Sequence, residues 1–227
     1  GATLLAAMFP EGDDGRIPIA CVAGSQAATV VARLLARLLR GAGRRVGLGC
    51  RDGTFLDDRR LRPGDGTPFD RARDVLLNPS ADAAVIEATG AGILDEGLPF
   101  DRCDVAVVTE ADPATPGRHV LALGALVAAV APGTGTAVLN AADPRVLGLA
   151  DRCRGAVIAY AAEADHPALA AHRARGGKAA FVRDGQIGLA EGNRDDVLIP
   201  VPVTSDVPVG HMLAAVVAVH ALTRTKS

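Results

Sequence analysis

Aromatic residues are nearly missing from this chain. Its 227 residues include no tryptophan, one tyrosine (Tyr160) and five phenylalanines. Stacking platforms for single-stranded nucleic acid are therefore not to be expected. Alanine, valine and leucine must fill the core instead, which suits a sheet covered closely by helices. An excess of one charge is lacking too: 24 Lys and Arg face 26 Asp and Glu, a formal net charge of -2. That balance gives no electrostatic case for a nucleic-acid partner or an acidic membrane surface. Long apolar runs are also absent. The longest, LALGALVAAVA at 121–131, falls short of the roughly 20 residues of a membrane span. LLAAMF at 4–9 is too short for a signal sequence and lacks a basic flank. The cysteines Cys21, Cys50, Cys103 and Cys153 are widely spaced and form no CxxC pair, which argues against zinc. They read as reduced thiols in a cytoplasmic protein, with Cys21 and Cys103 in or beside apolar strands. The five histidines form no HxxxH pattern, and there is no Gly-x-Ser-x-Gly nucleophile turn.

What is present is alternation. Residues 17–22 (IPIACV) read as a buried strand and 29–40 (TVVARLLARLLR) as an amphipathic helix. Strand patterns recur at 45–48, 83–88, 105–109, 136–140 and 156–160, with helix patterns at 68–77, 118–130, 144–149 and 166–175. Short apolar runs of this kind suit strands buried on both faces, and the alternation predicts a mostly parallel sheet with right-handed crossovers and helices on both faces. Residues 52–61 read as a polar hairpin or loop. Near the C-terminus, 178–183 and 186–190 flank Asp184-Gly185, a strong hairpin signal. Residues 197–203 are expected as an edge strand, because Pro200 and Pro202 bar a central position, and 210–223 as a closing apolar helix. Residues 1–16 read as an N-terminal linker and 17–227 as one α/β domain.

Between the first strand and helix lies Gly24-Ser25-Gln26-Ala27-Ala28-Thr29. A working phosphate loop of this type would be Gly-x-x-Gly-Lys-Ser/Thr, whose lysine meets the terminal phosphates of a nucleotide. Gly24 and Thr29 remain. Ala27 replaces the second glycine and Ala28 the lysine. If the loop needed a left-handed residue at position 27, the Cβ would add roughly 1–2 kcal/mol of strain. The pattern does not supply the GxGxxG of a dinucleotide fold.

Further segments carry a resemblance: GDGTPFDRAR at 64–73, AAVIEATGAGILDEGLPFDRCDVAVVT at 83–109, GTAVLNAADP at 135–144 and GGKAAFVRDGQIGLAEG at 176–192. With MFPEGDDGRIPI at 8–19, they make residues 8–222 resemble the central ATP-binding domain of Mur-type amide ligases, and within that group cyanophycin synthetase. Such proteins place an ATP-grasp domain before this region and a further ligase domain after it, and neither is expected within this chain. The resemblance implies a P-loop-like α/β fold. It also implies chemistry in which ATP phosphorylates a carboxylate and an amino group then attacks, with electrostatics carrying most of the catalysis.

Position by position, the resemblance makes Gly24 and Thr29 phosphate-loop residues and Glu87 an acidic magnesium ligand. Without it, Glu87 reads as a strand-terminal carboxylate capping backbone. Asn140 and Asp143 match adenine and ribose contacts, or else form a turn and cap the helix that begins at Pro144. His211 is either a base contact or a helix-start residue. Three family groups are missing: an arginine stands as Gly90, the metal-binding histidine after VAVVT has no counterpart beyond Glu110-Ala111-Asp112, and the helix around His119 contains no lysine. His119 itself is expected to be half-exposed. These losses coincide in one site. They lead to the expectation of a degenerate, non-catalytic domain, with no required cofactor and at most weak ATP and Mg2+ binding. Its partners would be a second copy, another ligase-related chain or a peptide. The alternative is an ATP-binding component of an amide-forming ligase whose missing groups come from another domain or chain.

Overall fold

Apolar five-residue runs without turn residues fold as expected into the centre of a sheet. The computed structural model describes residues 15–25, 27–192, 194–200 and 207–224. Most of the expected N-terminal linker, Gln26 of the loop and the last three residues of the expected edge strand lie outside that set. Seven strands form a parallel core: β1 (Ile19–Ala23), β2 (Val46–Cys50), β5 (Ala83–Ala88), β6 (Val105–Val108), β7 (Thr136–Asn140), β8 (Ala156–Glu163) and β9 (Lys178–Arg183). Antiparallel strands extend both edges, β3 (Gly53–Leu56) and β4 (Arg59–Pro63) on one side, β10 (Gln186–Glu191) and β11 (Arg194–Pro200) on the other. The eleven-stranded order is β11-β10-β9-β8-β7-β6-β1-β5-β2-β3-β4. The expected edge strand is thus β11, at the outer edge where its proline is tolerated.

The helices are α1 (Ala28–Gly41), α2 (Pro68–Leu76), α3 (Gly90–Glu96), α4 (Pro116–Ala128), α5 (Pro144–Leu147), α6 (Pro167–Ala174) and α7 (Val209–Arg224). In α1, Val31, Ala32, Leu35, Ala36 and Leu39 are buried, a stripe at helical spacing. They pack with α7 against Val22, Val85, Val107 and Val138 on one face of the sheet. Alternate residues of the same strands, Cys21, Ile86, Val108 and Leu139, meet Leu123 and Leu126 of α4 and Val75 of α2 on the other. Local chemistry sets the boundaries. Gly43, at φ 85, ends α1: its N–H donates to Arg40 O and the Arg44 N–H to Leu39 O, a Schellman closure. Thr67 and Asp70 form a capping box that starts α2. Asp184 and Gly185 both take positive φ, 52 and 70, as the tight β9–β10 turn requires.

All four cysteines are free, and Cys21, Cys50 and Cys103 are buried. Among the described residues no helix is long and apolar enough to cross a membrane.

Candidate functional site

Strand order reverses around β1. Its neighbours are β5 on one side and β6 on the other, so the crevice beyond their carboxyl ends is where ligands of open α/β sheets collect. Three sequence-predicted residues arrive there together. Gly24 follows β1, Thr29 sits in the first turn of α1, and Glu87 is the fifth residue of β5, in register with Val22.

Gly24 is required by close approach: a Cβ there would collide with Thr109 Oγ1 from the end of β6. Ala27 lies in the right-handed helical region, φ -74 and ψ -23. The conditional left-handed strain therefore does not arise, because the chain enters α1 directly. Ala28, where the lysine would stand, is 1% exposed and belongs to the core beneath α1.

The loop is not vacant of negative charge. Glu110, just after β6, places Oε1 where it accepts from Ser25 N–H at 2.9 Å, Ser25 Oγ–H at 3.0 Å and Ala27 N–H at 3.1 Å. Flanking cations are Arg51, whose Nη2 lies 3.5 Å from Ser25 O, and Arg118. The latter lines a cavity of about 370 Å³ beside the loop together with Gly24, Ser25, Gly90, Asp112 and His119.

Glu87 is 2% exposed. Its Oε1 accepts from Thr29 Oγ1 at 2.8 Å and its Oε2 from Arg51 N–H at 2.7 Å. Glu87, which the resemblance matches to magnesium, thus faces Thr29 of the loop. Mg2+ is commonly held by one or two carboxylates plus substrate phosphates. One carboxylate and one hydroxyl are the protein's usual share of such a site, with phosphates and water as the other ligands; among the described residues no cluster of three His, Cys, Asp or Glu side chains could hold a metal by itself.

Asn140 and Asp143 lie at and just beyond the end of β7. Asn140 donates to Thr109 O at 2.7 Å and accepts from Ala142 N–H at 2.9 Å. Asp143 caps α5 through Arg145 N–H at 3.0 Å, and its other oxygen accepts from Ala111 N–H at 3.0 Å. Arg145 adds two bonds to the Asp143 carboxylate and one to Ala111 O. Burial works to raise the Asp143 carboxyl, but Arg145 and the two amides outweigh it and hold it below the usual carboxylate range. These side chains make the turn and cap contacts, and they also clamp the backbone on both sides of Glu110.

His119 departs from expectation. It is 6% exposed rather than half-exposed, because α4 packs on α3 and Gly90 makes room: a Cβ at Gly90 would strike the His119 ring. The ring Nδ1 accepts the Asp112 N–H, and burial pushes the imidazole below its ordinary value. His211 opens α7 with Nδ1 buried and without a hydrogen-bond partner. It does not line the cavity beside Gly24. Sequence reasoning missed Glu110 as a site residue. Its only signal was a carboxylate directly after VAVVT.

No family model matches the chain. A cyanophycin synthetase of Synechocystis sp. is 33% identical over 231 residues, 96% of this chain and 26% of that protein. One of Geminocystis herdmanii is 32% identical over 227 residues, again 96% and 26%. The chain therefore spans about a quarter of the length of the curated relatives it matches. Among solved structures, a UDP-N-acetylmuramoyl-L-alanyl-D-glutamate–2,6-diaminopimelate ligase superposes with a TM-score of 0.64 at 16% identity, over 92% of this chain and 45% of that one. At such identity the likeness establishes the fold, a Mur-ligase central-domain type.

Proposed function

The chain belongs with the cyanophycin synthetases by homology and has the α/β fold of a Mur-ligase central domain, and from that premise we propose that it is a non-catalytic member, used for assembly or for contact with a partner chain or peptide. The observation that carries this reading is Ala28. The loop position that would hold the phosphate-binding lysine is a methyl group buried in the core. Losing one charged hydrogen bond costs about 1.5–3 kcal/mol, and the cost is larger against charge developing in a dry site. The absence of lysine from α4 removes further support. Exposed apolar side chains fit a contact role: Leu77 is 74% and Leu121 56% exposed. A second copy, another ligase-related chain or a peptide would cover them.

The test is phosphate release from ATP with Mg2+, assayed with short acidic peptides and free amino acids. The reading expects the rate of the protein-free blank. Turnover that rises with peptide would overturn it.

A second reading is favoured by Arg51 and Arg118, the cations beside the loop. In it, the domain is the ATP-binding component of an amide-forming ligase and another domain or chain supplies the missing groups. Weak Mg2+-dependent ATP binding that strengthens when the partner is added would favour it.

A further inference from the structure

Two backbone amides of the Gly24 loop, those of Ser25 and Ala27, converge on one spot. The helix dipole adds positive potential there, and the Ser25 hydroxyl joins them. What occupies that spot is an oxygen of the chain's own making. One Glu110 oxygen takes three donors of the loop at 2.9, 3.0 and 3.1 Å, as a phosphate oxygen bound at a helix N-terminus would.

The carboxylate does not reach the loop by chance of rotamer. Its backbone is fixed on both sides. Before it, the Thr109 N–H donates to Ala23 O at 3.0 Å, and Thr109 O accepts from Asn140. After it, Ala111 N–H donates to Asp143 and Ala111 O accepts from Arg145. Gly24 allows the approach, since any Cβ there would strike Thr109. The residues that resemble base and ribose contacts are thus spent on aiming Glu110.

We propose that Glu110 is a built-in anion that holds the Gly24 loop closed, so that occupancy by the chain's own carboxylate, and not loss of loop geometry, excludes phosphate. A tethered carboxylate competes at the high effective concentration of an intramolecular group, and its charge repels an incoming phosphate. The inference rests on the reading of 24–29 as a former phosphate loop, but it does not require the domain to be inactive.

The experiment measures inorganic phosphate and pyrophosphate binding by calorimetry to the unmodified chain, Glu110→Gln and Glu110→Ala, each checked for folding by circular dichroism. Removing the charge should raise phosphate affinity roughly tenfold or more, the equivalent of one charge-assisted hydrogen bond. Further substitution of Arg118 by Gln should reduce that gain. Folded variants that bind phosphate no better than the parent would overturn the proposal while leaving the absence of ATP turnover untouched. Should both variants fail to fold, crystals of the unmodified chain grown from phosphate decide the matter. Glu110 on Ser25 and Ala27 with no anion beside them is the expected result. Phosphate on those amides with Glu110 turned away would overturn it.

Discussion

The two halves of the crevice carry residues at positions that the sequence resemblance singles out, and use them differently. On the β5 side, Thr29 of the loop donates to Glu87, the residue that the resemblance matches to magnesium, and the other Glu87 oxygen accepts from the Arg51 N–H. On the β7 side, Asn140 and Asp143 also stand at matched positions, but they hold a neighbouring loop. The first half could release the Thr29 hydroxyl and one Glu87 oxygen by a turn of Thr29, while the other oxygen stays on the Arg51 N–H. The second could not do so without freeing residues 109–111. A retained residue is therefore no measure of a retained function. What its hydrogen bonds already serve decides whether a ligand can claim it.

The largest expected effect comes from reinstating the arginine of the family pattern. Gly90→Arg must expel the His119 ring from its buried place, and overpacking of this kind costs about 3 kcal/mol. Urea denaturation should show that loss, together with a shifted His119 ring resonance. An unchanged midpoint would mean that the β6–α4 side is looser than the packing implies. Next is Asp143→Ala, which removes the α5 cap and the Ala111 contact at once. About 2 kcal/mol should be lost, and hydrogen exchange should quicken at Ala111. Thr29→Val on the opposite side breaks a single contact to a buried carboxylate, so about 1 kcal/mol is expected. A cost equal to that of Asp143→Ala would erase the contrast between the halves.

The smallest effect is with pH. Burial lowers His119, His172 and His220. The unfolded chain takes up these protons near about pH 6.5, while the folded chain resists until lower pH. Stability they contribute is thus fully present above that value and declines as pH falls through their folded values. Melting temperatures at pH 7.5 and 5.5 should show the fall, and the His119 ring should titrate below a free histidine.

The parallel core was legible because β1, β5, β6 and β7 are short apolar runs buried on both faces. The β9–β10 turn was legible because Asp-Gly tolerates positive φ. The polar stretch at 52–61 was readable only as hairpin or loop, since every residue of β4 is exposed and leaves no alternation. Helix α3 escaped notice: GAGILDE carries two glycines in its first turn and little periodicity, and it starts on the Thr89 cap. In the site, the loop, Glu87 and the Asp143 cap could be placed from local sequence. Glu110 could not. Its aim depends on Asn140, Asp143 and Arg145, some 30 residues further on, and on a glycine in a third segment. His119 was misjudged for the same reason, because Gly90 hides it from another helix.

The central claim is that this loop does not hold a triphosphate. Isothermal titration of the unmodified chain with ATP and Mg2+ tests it most directly. The account predicts no measurable heat of binding up to concentrations of order 1 mM, a standard free energy no better than about -4 kcal/mol. Saturable binding at micromolar ATP would contradict it.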